Sequence, residues 1–313
     1  MDAQPVPWPP GARSATVVLD GDRVRLLDFG GPTDAPVLLC VHGLGASALT
    51  FGLLGPLLTP EHRVLAVDLL AHGGSVAGRD ATEGNRRLIG RVVESVVGAP
   101  VVLLGQSMGG VLALQHAARA PETVRRLVLI GPPVPRPTRL PVDPVIAARR
   151  AFLRLPPVRR AVATRLRRMP PEEVVAQQVR QATPHTDRVP ADLVPIIVAE
   201  TRERATRPDA AAAQTAQWRA ITDTMAVLSH GRRFRRMVAG IPAPTLWVQG
   251  EDDPLAPVAA ARALAATRPD WRLEVLPGVG HLPHAEEPAH TADLVRRWLD
   301  EPLTRQAGPP GPT

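Results

Sequence analysis

The chain contains no lysine and no tyrosine, one cysteine, and only 3% aromatic residues across 313 positions. A single thiol excludes a disulfide within the chain. That thiol, Cys40, lies in the apolar run from Pro36 to Val41, where a buried core thiol is expected rather than a nucleophile. All 37 basic residues are arginine, and with 36 prolines this reads as a bias toward GC-rich codons as much as a physical adaptation. There is no G-x-G-x-x-G or P-loop phosphate cradle, and no His/Cys/Asp cluster has metal-ligand spacing, so neither a cofactor nor a metal is expected. The first 14 residues have no basic n-region and no apolar h-region. No secretory signal is therefore read, and the cytoplasm is the expected location. The stretch from Val96 to Gln115 is uncharged and long enough to raise a membrane span. Pro100, Gly105, Gly109 and Gly110 interrupt it, and a strand–turn–helix explains it better, so no integral membrane segment is expected.

What the chain does have is a globular composition. Hydrophobic residues make up 44% of it. Proline and glycine together make 61 residues, below the ~25–30% that marks low complexity. The length suits roughly two domains at about 150 residues each. The formal charge of +7 is uneven: between Pro132 and Gly240, 20 arginines face nine acidic residues, a local +11 that leaves −4 elsewhere. A basic excess can attract nucleic acid or anionic membrane. No aromatic-interleaved basic stripe accompanies it, and helix 157–168, with Arg159, Arg160, Arg165, Arg167 and Arg168, cannot turn every arginine inward. Solvated helix faces account for the charge, and no nucleic-acid partner is expected.

Periodicity sets the organisation. Residues 15–19 and 23–29 read as strands joined by Asp20-Gly21-Asp22, a hairpin signal. Further strands are predicted at 36–42, 63–68, 101–105, 124–130, 244–249 and 271–276. Helices are predicted near 47–58, 85–97, 110–120, 257–267 and 288–299. Buried apolar strands alternating with helices indicate βαβ units and a mostly parallel sheet. Residues 132–240 break the alternation, with helical spacing at 157–168, 171–182, 190–205 and 209–239 and no strand candidate. The expected division is a core of 1–131 and 241–301, a helical insertion at 132–240, and a disordered tail at 302–313.

Gly105-Gln106-Ser107-Met108-Gly109 matches the G-x-S-x-G nucleophile elbow, between a buried strand and a helix. With six serines and 25 glycines, chance supplies about 0.04 such matches, and the strand–turn–helix context is also present. A serine hydroxyl is a weak nucleophile and needs a base, itself oriented by a third group. Carboxylates follow strand 244–249 in Gly250-Glu251-Asp252-Asp253-Pro254. One histidine follows strand 271–276 in the glycine-rich Pro277-Gly278-Val279-Gly280-His281.

These residues resemble the α/β-hydrolase superfamily over about residues 14–300, with greatest similarity to its cap-bearing serine esterase, C–C hydrolase and haloperoxidase-like branch. The resemblance implies an α/β-hydrolase fold: a mostly parallel eight-stranded sheet flanked by helices, with 132–240 as an inserted helical cap. The G-x-x-D-x-x-x-P pattern falls on Gly250, Asp253 and Pro257, which favours Asp253 over Asp252 as the triad acid. The G-x-G-H and E-x-P patterns fall on Gly278–His281 and Glu286–Pro288, making His281 the base. His42-Gly43-Leu44-Gly45 resembles the oxyanion loop, so the backbone N–H groups of Leu44 and Met108 are the implied oxyanion donors. Residues 68–75 resemble the D-L-x-G-H-G-x-S segment, with Ala71 in place of glycine at a turn.

The implied roles are Ser107 as nucleophile, His281 as general base and acid, and Asp253 as the group holding the imidazole tautomer. His42 and His72 are expected as structural hydrogen-bonders, and His284 and His290 as solvated residues near the last helix. Epoxide hydrolases and haloalkane dehalogenases use Asp where Ser107 stands, and cap tyrosines cannot exist here. The reading is hydrolysis of a small-molecule carboxylic ester. The alternatives are C–C bond hydrolysis or cofactor-free lyase or perhydrolase chemistry, and a non-catalytic binding protein. Phe152, Trp218 and Met225 are candidates for the substrate pocket.

Overall fold

Each central strand supplies two hydrophobic layers by alternation. In β4 (Val37–Val41), Leu38 and Cys40 enter one layer while Leu39 and Val41 enter the other. β7 (Val124–Ile130) repeats the split, with Leu127 and Leu129 on one face and Val128 and Ile130 on the other. Strands covered on both faces read as continuous apolar runs, which is why the pattern predicts a parallel sheet. The computed structural model of the chain describes residues 4, 5, 9, 11–78, 80–137 and 155–302.

The remaining strands are β1 (Gln4–Pro5), β2 (Arg13–Leu19), β3 (Asp22–Gly30), β5 (Arg63–Val67), β6 (Val101–Gln106), β8 (Thr245–Gly250) and β9 (Arg272–Leu276). They form one sheet in the order β1-β2-β3-β5-β4-β6-β7-β8-β9. β1 to β3 pair antiparallel, and β3 pairs antiparallel with β5; every later pairing is parallel. The eight predicted strands are all present, each within two residues at its ends. The two-residue β1 is an added edge that sequence reasoning did not see.

β4 lies between β5 and β6, so the chain steps outward to β5 and then reverses across β4 to β6. Such a reversal opens a crevice at the carboxyl ends of the strands, the usual place for a ligand site in a parallel sheet.

Helices cover both faces. α2 (Ala81–Val92), α3 (Met108–Arg119) and α9 (Val258–Ala265) pack on one side. α1 (Gly55–Leu58) and α11 (Pro288–Asp300) pack on the other, where Trp298 and Val295 are buried. α10 (Pro283–Glu286) is a single turn before α11. Between β7 and β8 lie α4 (Pro156–Arg168), α5 (Pro171–Ala182), α6 (Leu193–Thr206), α7 (Ala210–Ser229) and α8 (Gly231–Ala239). Residues 138–154 of the predicted insertion and 303–313 of the predicted tail lie outside the described residues.

Three helix predictions need correction. The segment 47–58 is a 3-10 turn at Ala48–Phe51 followed by α1, because Gly52, Gly55 and Pro56 interrupt a continuous helix. α2 starts at Ala81 rather than near 85: Asp80 caps it by accepting the Thr82 N–H at 2.8 Å. The 209–239 prediction is two helices, broken at His230–Gly231.

Candidate functional site

β6 is buried at all six positions and α3 begins at Met108, so Ser107 alone forms the turn between them. It pays in backbone conformation, with φ 53° and ψ −122°, a region non-glycine residues occupy at ~1–3 kcal/mol. The flanking glycines let the elbow seat. A Cβ at 109 would come within 2.2 Å of the Val41 carbonyl oxygen, and one at 105 within 2.6 Å of the Gly109 carbonyl oxygen. The Ser107 N–H donates to the Ile130 carbonyl at 2.9 Å, tying the turn to the neighbouring strand.

The Ser107 hydroxyl lies 2.8 Å from His281 Nε2, and His281 Nδ1 lies 2.7 Å from Asp253 Oδ2. His281 and Asp253 are 3% and 5% exposed. The carboxylate is tightly held: Oδ1 accepts the N–H groups of Leu255 and Ala256 at 2.8 Å, and Oδ2 also accepts from Gln249 Nε2 at 2.9 Å. Gln249 is aimed in turn by donating to the Ala256 carbonyl and accepting from Trp247 Nε1. With Nδ1–H donated to Asp253, His281 presents Nε2 as an acceptor to the serine hydroxyl. Asp252 is elsewhere, 2.8 Å from His185 Nε2 in a partly exposed pair.

Met108 opens α3, where the first N–H groups of a helix have no intrahelical partner. Leu44 follows β4 in the turn that includes Gly43, and a Cβ at Gly43 would approach Ser107 Cβ to 2.9 Å. The loop holding Leu44 therefore packs against the serine. His42 fixes that loop: Nδ1–H donates to the Gly43 carbonyl at 2.7 Å, and Nε2 accepts the Leu69 N–H at 3.0 Å.

The segment after β5 is braced by Asp68. Its Oδ1 accepts the Ala48 N–H at 2.7 Å, and Oδ2 accepts the Gly74 N–H at 2.6 Å and Arg25 Nε at 2.5 Å. Desolvation pushes the Asp68 carboxyl upward, but the Arg25 guanidinium, the neighbouring His42 and the Ala48 N–H together outweigh it and hold the carboxyl below its ordinary value. Arg25 also pairs with Glu200 of α6, anchoring the inserted helices to the core. Ala71 takes φ 65°, and its carbonyl accepts from Gln217 of α7 at 2.8 Å.

His284 is a correction. Instead of being solvated it is 0% exposed, with Nε2 at 2.9 Å from Thr50 Oγ1, because α10 tucks beneath the His281 loop rather than extending α11 outward. His290 is exposed. Of the pocket candidates, Met225 is 41% exposed on the outer side of α7, Trp218 is half-buried, and Phe152 lies outside the described residues. Sequence reasoning missed Gln249, Thr183, His185 and Glu200. A polar residue ending a wholly buried strand was a signal for Gln249; the other three carry none.

Burial pushes four histidines well below the ordinary 6.5: His42 and His116 to about 4, and His72 and His284 to about 3. Each is neutral when folded at pH 5, whereas the unfolded chain protonates there. Stability is thus present above pH 6.5 and falls as the pH drops toward the folded values, approaching about 1.4 kcal/mol per pH unit per histidine below pH 6. Urea midpoints measured from pH 7 to 5 are expected to fall steeply, and His284→Gln to flatten the slope by about one proton. Midpoints independent of pH would contradict this.

A serine on a strand–helix elbow, joined through a buried histidine to a buried aspartate at the carboxyl ends of a parallel sheet, is the arrangement of an α/β hydrolase. The alpha/beta hydrolase fold family matches residues 36–288, and the chain belongs to it. An uncharacterised protein of Mycobacterium tuberculosis is 29% identical over 277 residues, spanning 85% of this chain and 75% of its own. A pimeloyl-[acyl-carrier protein] methyl ester esterase of Xylella fastidiosa is 28% identical over 254 residues, 79% of this chain and 89% of the esterase. Among solved structures, a membrane phospholipase A is 25% identical with a TM-score of 0.68, covering 93% of this chain and 86% of that one. Among the described residues, no helix is long and apolar enough to cross a membrane.

Proposed function

We propose that this hydrolase-family protein is a serine esterase that cleaves a small-molecule carboxylic ester through an acyl-enzyme. The observation that carries the reading is the continuous relay Ser107 Oγ–His281 Nε2–Asp253 Oδ2, at 2.8 and 2.7 Å. Ser107 attacks the acyl carbonyl as His281 takes its proton. The tetrahedral oxyanion is met by the backbone N–H groups of Leu44 and Met108, each donor of this kind contributing ~2.7–4 kcal/mol. His281 then delivers its proton to the leaving alkoxide, and Asp253 stabilises the imidazolium throughout. Water, activated by the same histidine, releases the acid. In this reading the helices of 132–240 form a cap over the serine.

Ester rather than C–C bond cleavage is favoured by the Xylella relative, whose substrate is a methyl ester and which aligns over most of both chains. The test is a panel of chromogenic esters of increasing acyl length, run beside a vinylogous diketone acid. Turnover of short or medium acyl esters, with none of the diketone, is expected. Carbon–carbon cleavage without ester turnover would replace this reading with the C–C hydrolase alternative.

A further inference from the structure

The loop that carries His281 is held partly from within the core and partly from the inserted segment. Glu286, 6% exposed at the end of α10, turns its carboxylate back onto that loop. Its Oε2 accepts the Gly280 N–H at 2.9 Å and its Oε1 accepts the Leu282 N–H at 3.0 Å, so one carboxylate brackets His281 on both sides. The amide between them, of His281 itself, donates to the Ala182 carbonyl at 2.9 Å. Ala182 ends α5, in the inserted segment. The next residue, Thr183, is 1% exposed and donates its hydroxyl to Glu286 Oε2 at 2.8 Å. Contact there is close enough that a Cβ at Gly280 would meet Thr183 Oγ1 at 2.4 Å and its Cα at 2.9 Å. Three consecutive amides of the histidine loop are thus satisfied by Glu286 and by the end of α5.

We propose that Thr183 and Glu286 are positioning residues for His281, so that the inserted segment sets the depth and aim of the base toward Ser107. This rests on His281 acting as the base in the proposed function. Asp253 fixes which nitrogen faces the serine, but it is a single contact about which the ring and its backbone can still shift. Glu286 removes that freedom only while its own orientation is fixed, and Thr183 fixes it. A displacement of about 1 Å at a reacting group can cost ~10²-fold in rate, which makes this support visible in kcat.

The experiment compares Thr183→Val, Thr183→Ser and Glu286→Gln in the full chain, with the hydrolysed ester, an organophosphonate, and the downfield NMR resonance of the His281 Nδ1 proton. Thr183→Val is expected to lower kcat and the rate of Ser107 labelling by about tenfold to a hundredfold while KM stays within about twofold. It should also displace the acid limb of the kcat profile and shift or broaden the Nδ1 proton. Thr183→Ser, which keeps the hydroxyl, should restore all of these. A folded Thr183→Val with unchanged kcat, acid limb and Nδ1 proton overturns the proposal, even if its melting temperature falls. Failure of Thr183→Ser to rescue overturns it as well. Should Thr183→Val not fold, Glu286→Gln decides on the same readouts. If the wild-type serine is not labelled at all, the esterase reading fails separately, and the Nδ1 proton still reports whether Thr183 positions His281.

Discussion

Ser107→Ala is expected to lower kcat for the hydrolysed ester by about 10⁶, the scale found when the nucleophile of a serine protease is removed. Activity then falls to what oxyanion donors and binding alone supply. The physical reason is that covalent attack has no substitute here. Among the described residues, His281 Nε2 faces the Ser107 hydroxyl across 2.8 Å, and no other thiol or hydroxyl group shares that geometry. The free thiol of Cys40 is buried in the sheet, where desolvation holds it in the protonated form. The elbow itself should survive, since alanine accepts the same backbone as serine and retains its main-chain bond to Ile130. The melting temperature is therefore expected to stay near that of the wild type, or to rise. Organophosphonate treatment and peptide mass spectrometry should place one adduct on Ser107. An adduct elsewhere on folded protein, or none, would sink the covalent mechanism.

The second large effect separates two adjacent carboxylates. Asp253→Asn is expected to reduce kcat by ~10⁴, as the corresponding change does in a serine-protease triad, because an amide allows the wrong imidazole tautomer. The surroundings of Asp253 accentuate the loss. Its Oδ1 receives two backbone N–H groups and its Oδ2 receives Gln249 as well as His281. Every partner is a donor, so an asparagine NH₂ meets another donor whichever way it is turned, and the imidazole is then free to present Nε2–H to the serine. Asp252→Asn removes only the partly exposed contact with His185. Such surface pairs are worth ~0–1 kcal/mol, and a change in kcat within about twofold is expected. Steady-state kinetics on the two mutants, with circular dichroism to verify folding, provides the comparison. Equal losses, or a larger one at Asp252, would show that the acid has been assigned to the wrong position.

The sequence alone determined the order of strands and helices in the core, because a two-face-buried strand requires an apolar run and the runs are separated by turn residues. It also determined the elbow: a serine at positive φ, with no room for a Cβ at 105 or 109, needs glycine on both sides, and that requirement is visible as a motif. The candidates Ser107, Asp253 and His281 were legible for the same reason, since each lies in a short loop directly after a strand. Helix boundaries were less legible, as at 47–58, where glycine and proline compete with an apolar period that reads as continuous.

What joins residues far apart in sequence was decided by tertiary structure alone. Nothing local distinguishes Thr183 from the other threonines, or Glu200 from the other acids of a charged insertion. They matter because α5 and α6 come to rest on the histidine loop and on Arg25. The burial of His284 has the same origin, since a histidine in the single turn of α10 is solvated or buried according to what that turn packs against. Sequence patterns record the constraints a segment places on itself. The positions of buried polar groups are settled by which distant partners can satisfy them, and only the assembled fold supplies those partners.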